Sequence, residues 1–192
     1  MRRLIVSNLM SLDGFLSGPN GELDWFVSPG FPMNTEYGTY VKDLISSVGG
    51  MLLGRRTYEE FASYWPTATD NDPLITEKMN VLPKYVFSKN LDKVEWGKWG
   101  TAFLVKGDAA AEAKKLKEEP GRDLAIYGSG QLVSALMKAG LVDEIQVFVQ
   151  PWILGQGRGE FVGLTDRYEL ELIKATPFKS GAVGLFYRPR PK

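Results

Sequence analysis

The amino-acid sequence predicts an α/β fold with a mostly parallel sheet and an antiparallel C-terminal side. Three observations predict it. Strand-like and helix-like segments alternate from Arg3 to Gly140, the pattern of parallel strands joined by crossover helices. After Gly140 three strand-like segments follow one another without an intervening helix, which suits antiparallel pairing. Two glycine-containing turns each stand between a strand and a helix, where open sheets of this class bind ligands.

Arg3 to Leu9 is a short β-rich apolar run and reads as the first strand. Met10 to Met33 is rich in Gly, Pro, Asn and Ser, yet it carries Leu12, Phe15, Leu23, Trp25 and Phe26. A loop this long and this apolar reads as an ordered lid or pocket wall. Thr35 to Val48 is the clearest helix, with Tyr37, Tyr40, Val41, Leu44, Ile45 and Val48 on one stripe and Gly49-Gly50 as its stop. Met51 to Leu53 is a buried strand, and Gly54 opens a helix that Pro66 ends. Thr67 to Leu82 reads as irregular, with one helical turn at most. Strands are predicted at Lys84 to Ser88 and Thr101 to Val105, a helix at Asp108 to Glu119, and a strand at Asp123 to Tyr127. A helix with Leu132, Ala135, Leu136 and Ala139 on one face follows Gly128-Ser129-Gly130. The last strands are Glu144 to Gln150, Tyr168 to Lys174 and Ala182 to Arg188. No repeat or domain boundary interrupts this order, so a single domain over residues 1–192 is expected.

Composition narrows the chemistry. The 192 residues are 44% hydrophobic, enough for a substantial core, and hold 23 basic and 23 acidic side chains. That balance gives no general electrostatic drive toward nucleic acid or an anionic membrane. Cysteine and histidine are both absent, which excludes disulfides, Cys/His zinc sites and histidine-based nucleophile pairs. No metal site is expected. The N-terminal apolar run is too short for a signal sequence and no segment reaches membrane-spanning length, so a cytoplasmic protein is expected. An enzyme of this composition relies on a cofactor for the difficult step.

The two turns are Leu53-Gly54-Arg55-Arg56-Thr57 and Tyr127-Gly128-Ser129-Gly130-Gln131-Leu132. Glycine allows close approach of backbone to ligand, and helix N-termini attract phosphate. Each glycine equally suits a plain tight turn, and Val133 stands where a full dinucleotide fingerprint has its third glycine. Arg55 and Arg56 add forked donors, and Ser88-Lys89 at a third strand end adds a hydroxyl and a cation. Asp13 and Asp24 are candidate acids, although an Asp beside Gly is more often a turn former. Glu36 is a third candidate, or a favourable first-turn charge. Trp25 suits either an aromatic stack or the core. Gly155 to Gly159 suits contact with a ligand, but reads first as a flexible surface connection.

With these positions assembled, the chain resembles the dihydrofolate reductase superfamily, and within it the reductase domain of bifunctional riboflavin-biosynthesis deaminase-reductases. The residues that carry the likeness are Ser11-Leu12-Asp13-Gly14 with Asp24-Trp25, Leu53 to Glu59, Ile126 to Gly130, and Pro151 to Gly155. The resemblance implies a three-layer fold with helices on both faces of the sheet, and a homodimer. It implies NADPH as cofactor, its adenosine ribose phosphates at Gly54 to Thr57 and Ser88-Lys89. The pyrophosphate falls at Gly128 to Leu132, and Trp25 beside the nicotinamide. The implied activity is hydride transfer to a small heterocycle, of the 5-amino-6-(5-phosphoribosylamino)uracil or dihydrofolate kind. The alternative is a nucleotide-binding module of the same fold without catalysis. The sequence departs from those relatives at Tyr127, where the riboflavin-pathway reductases carry glutamate. It departs again in the first helix, which has Lys42 but no arginine.

Overall fold

The computed structural model describes residues 1–25 and 36–191. Ten strands and five α-helices are described: β1 (Leu4–Ser11), β2 (Phe15–Ser17), α1 (Glu36–Ser47), β3 (Gly50–Gly54), α2 (Arg55–Tyr64), α3 (Pro73–Val81), β4 (Lys84–Phe87) and β5 (Ala102–Val105) come first. Then come α4 (Ala109–Glu118), β6 (Leu124–Ile126), α5 (Gly130–Lys138), β7 (Glu144–Gln150), β8 (Arg158–Gly159), β9 (Leu170–Pro177) and β10 (Val183–Pro189). Eight strands form one sheet in the order β5-β4-β3-β6-β1-β7-β10-β9. The neighbours from β5 through β7 are all parallel. β10 runs antiparallel to β7 and to β9. The antiparallel C-terminal side is therefore made by one reversed strand, and β7 itself still runs parallel to β1.

Period-two alternation sorts each central strand between two helical layers. Leu4 and Val6 of β1, Leu52 of β3, and Leu124 and Ile126 of β6 pack with α4 and α5 through Ala113, Leu116, Leu132, Val133 and Leu136. The intervening Ile5, Met51, Leu53 and Ala125 face the other way, against Leu44 and Ile45 of α1, Val48 just beyond it, and Ile75 and Met79 of α3. These strands are apolar on both faces because both faces are covered. A third, aromatic cluster joins Phe148, Phe178 and Phe186 to Tyr37 and Tyr40 of α1.

Two parts differ from the sequence expectation. Residues 73–81 form a true helix, not a single turn. Asp72 caps it by accepting from the backbone N–H of Leu74 at 3.0 Å and of Ile75 at 3.4 Å, with Pro73 preset in the first turn. The segment read as a lid contains strand instead at its start: β1 runs on to Ser11, and β2 pairs with β8 in a small separate sheet. Residues 26–33 of that segment lie outside the described residues.

One buried charge tests the packing. The Lys84 side chain on β4 is fully buried, donates to the Asn80 carbonyl at 2.8 Å and to Thr101 Oγ1 at 3.1 Å, and lies 4.2 Å from the Trp96 ring centre. Burial pushes its pKa down to about 7. An unfolded lysine keeps its proton to about pH 10.4, so between these values the unfolded chain binds more protons and stability climbs with pH. Lys84→Met is expected to lose that climb between pH 7 and 9 in urea-unfolding midpoints. An unchanged slope would place the ammonium in water.

Candidate functional site

A broad cleft of about 2100 Å³ runs along the carboxyl ends of β1, β3, β4 and β6. That exceeds the ordinary volume for one small ligand and suits a dinucleotide with a second molecule. Gly54, Arg55, Arg56, Thr57, Ser88, Lys89, Gly128, Ser129, Gly130, Gln131 and Leu132 all line it. Every residue predicted to hold cofactor, Trp25 excepted, therefore borders one space.

The two glycine turns are locked to each other. Ser129 Oγ accepts the Gly54 backbone N–H at 2.7 Å and lies 3.0 Å from Thr57 Oγ1. Contact is so close that a Cβ on Gly54 would stand 2.5 Å from Ser129 Oγ, and one on Gly128 would stand 2.4 Å from Thr57 Oγ1. To reach this position Ser129 takes φ 63°, ψ 58°, a left-handed conformation costly for a non-glycine residue. Serine at a helix start ordinarily caps its own helix. Here its hydroxyl crosses to the neighbouring turn, and neither α2 nor α5 has a side-chain cap. The first-turn N–H groups of both helices consequently have no partner within their helix, and both helix starts border the cleft.

The cations differ in freedom. Arg55 is engaged by Glu59 at 2.8 Å on the helix surface. Among the described residues Arg56 and Lys89 make no ion pair, and both line the cleft. Arg158 of β8 lines it too, exerting its field on Glu60 and Glu22. Glu60 is exposed on α2, and what desolvation it has raises its pKa against the pull of Arg158 and Arg56.

The predicted acids fall elsewhere. Asp13 is exposed and clamps a loop: it accepts from Ser11 Oγ at 2.7 Å, Gly155 N–H at 2.7 Å and Leu154 N–H at 3.1 Å. Those bonds, Ser11 first, hold its carboxyl below the usual range, the reverse of what a proton donor needs. Asp24 is exposed and does not border the cleft. Glu36 opens α1, and its side chain lies outside the described residues. Trp25 is buried, 8% exposed, and is not among the lining residues; Leu23 is.

The far end of the cleft is walled by Leu9, Tyr37, Tyr40, Val41, Leu44, Ile45, Tyr127 and Phe148. Burial raises the phenols of Tyr37 and Tyr127, so both are neutral. Tyr37 meets Phe148 edge-on at 4.8 Å. Lys42, the cation on α1, is bound to Asp72 at 2.6 Å.

The fold is shared with known proteins. The model of the RibD C-terminal domain matches residues 2–183. The chain belongs to that family. Uncharacterized protein YyaP of Bacillus subtilis is 31% identical over 191 residues, covering 97% of this chain and 94% of the relative. A crystal structure from Shewanella sp. PV-4, of a protein named for riboflavin biosynthesis, superposes with a TM-score of 0.77 at 25% identity, over 98% and 99% of the two chains. Dihydrofolate reductase from Enterococcus faecalis, complexed with NADP(H), shares the fold with a TM-score of 0.65 at 15% identity, over 98% and 97% of the chains.

In this RibD C-terminal domain three polar residues were not among the sequence-predicted site. Asn8 Oδ1 accepts the Gly128 N–H at 2.5 Å, and its Nδ2 donates to both carboxylate oxygens of Glu160 at 2.9 and 2.7 Å. Arg158 belongs to the stretch read as a surface connection, but β8 brings it to the cleft. The readable signal there was its two flanking glycines: a Cβ on Gly157 would stand 2.2 Å from the Ser17 carbonyl oxygen. Gly130 is equally constrained, since a Cβ there would lie 2.4 and 2.5 Å from the carbonyl oxygens of Glu160 and Gly159. Gly130→Ala is expected to cost about 1–3 kcal/mol through this overlap, read as a lowered unfolding midpoint. A midpoint within error of the parent would show that the turn and the β8 loop are not in contact.

Proposed function

We propose that the protein is an NADPH-dependent reductase that transfers hydride to a small heterocycle. The observation that carries this reading is the pair of uncapped helix starts, locked by Ser129, that border one cleft with the unpaired Arg56 and Lys89. The residues fit the cofactor. The start of α5, Ser129 to Leu132, would receive the pyrophosphate on backbone N–H groups, and Arg56 with Lys89 would receive the adenosine 2′-phosphate. When bound, the cofactor supplies the hydride. The chain's part is to hold the ring pair in register and exclude water.

The far end supports a planar, uncharged ring as the partner. Its wall is aliphatic and aromatic, its two phenols are neutral, and the cation of α1 is held by Asp72. With Asp13 committed to its clamp and Asp24 away from the cleft, water delivers the proton in this reading. A second copy of the chain is proposed to pack on the sheet edge at β9, where Leu172 and Ile173 are exposed. No helix among the described residues is long and apolar enough to cross a membrane.

Arg56→Ala and Lys89→Ala are each expected to weaken NADPH by about 10- to 100-fold, the worth of one charge-assisted contact, and to leave NADH nearly unchanged. Fluorescence titration of both cofactors decides it. Equal losses for the two would remove the 2′-phosphate from this corner. Tight NADPH binding without consumption across a panel of pterins and aminopyrimidines would favour a binding module over a reductase.

A further inference from the structure

Glu160 is a buried acid that the reductase reading leaves without a task. It is 2% exposed, and its carboxylate takes both hydrogen bonds from Asn8 Nδ2, at 2.9 and 2.7 Å. Asn8, itself 6% exposed on β1, grips Gly128 from both sides, accepting its N–H at 2.5 Å and donating toward its carbonyl at 3.5 Å. The Glu160 backbone presses on the same turn, its carbonyl oxygen 2.4 Å from where a Gly130 Cβ would stand. Glu160 thus touches the start of α5 twice, once through Asn8 and once directly. An ionised carboxylate there is an anion beside the helix start to which we assign the pyrophosphate.

We propose that Glu160 is a proton-linked positioning residue: through Asn8 it holds the second glycine turn, and a phosphate-bearing ligand binds at α5 together with a proton on Glu160. The proposal rests on the cofactor reading above. Two anions near one helix start oppose each other, so binding one favours neutralising the other. The neutral carboxyl still accepts from Asn8 through its carbonyl oxygen, so the turn keeps its support in both states.

The surroundings leave Glu160 free to respond. Burial holds its pKa up, at about 7, with only the Asn8 bond pulling it down. β1 and β2 carry no ionisable side chain. β8 carries Arg158, whose field falls on Glu60 and Glu22. α5 has its cation, Lys138, in the last turn, away from Gly130. Tyr127, just before the turn, is kept neutral by burial. The sign follows from linkage: if binding brings proton uptake, affinity falls as pH rises through neutrality.

The test is calorimetric titration of the whole protein with NADP+ near pH 7.5, in buffers of different ionisation enthalpy, for the parent and Glu160→Gln. The 2′-phosphate also titrates, near pH 6, and contributes alike to both proteins, so the difference between them is the readout. The parent is expected to take up on the order of half a proton more per site, and to lose about tenfold more affinity between pH 6.5 and 8.5. Equal proton numbers with normal binding overturn this proposal alone. Absence of NADP+ binding to the parent overturns the cofactor reading and this proposal with it. If Glu160→Gln does not fold, carboxyl-carbon NMR of the parent serves instead. The Glu160 midpoint should rise when NADP+ is added, and an unmoved midpoint contradicts the proposal.

Discussion

The hydroxyl of Ser129 can serve only one helix start at a time, and in this protein it serves the neighbour's. It accepts from Gly54 at the head of α2 and leaves α5 without a side-chain cap. The arrangement requires a non-glycine residue at φ 63°, glycine at 54 and 128 where a methyl group would collide, and Thr57 as the hydroxyl's second neighbour. Strain of this kind persists only where the surroundings enforce it. Here β3 and β6, adjacent in the sheet, bring the two turns side by side, and Asn8 from β1 fixes Gly128. Three parallel strands therefore cooperate to present two bare helix starts to one cleft.

That dependence explains how the work divides along the molecule. In the proposed reading, the end with bare N–H groups, Arg56 and Lys89 takes anionic oxygen. In the same reading the other end, with Leu9, Tyr37, Tyr40 and Phe148, takes a ring. Three carboxylates in and around the cleft have other tasks. Asp72 caps α3 and holds Lys42, Asp13 ties the loop after β1 to Gly155, and Glu160 underpins the second turn.

Most of the frame was legible because its signals are local. α1, α4 and the central strands show their period within a few residues, and both glycine turns lie where strand period gives way to helix period. α3 was missed because its buried stripe is short, Ile75 and Met79, although Asp72-Pro73 is a readable helix start. β2 and β8 have three and two residues, too few to show any period. The Asn8–Glu160 pair was illegible for a different reason. Its partners are 152 residues apart, and only the sheet order brings them together. Asp13 reads both as a candidate acid and, ahead of that, as a turn former; its bonds to Ser11, Leu154 and Gly155 are those of a turn former.

The central claim is that the two turns, locked by Ser129, form one phosphate-binding wall. A crystal structure of the protein grown with NADPH tests it most directly. The account predicts pyrophosphate oxygens within hydrogen-bond distance of backbone N–H groups between Ser129 and Leu132, with Ser129 Oγ still on the Gly54 N–H. It also predicts the 2′-phosphate between Arg56 and Lys89. A cofactor seated elsewhere, or a Ser129 hydroxyl that turns back to cap α5 when the cofactor binds, would contradict it.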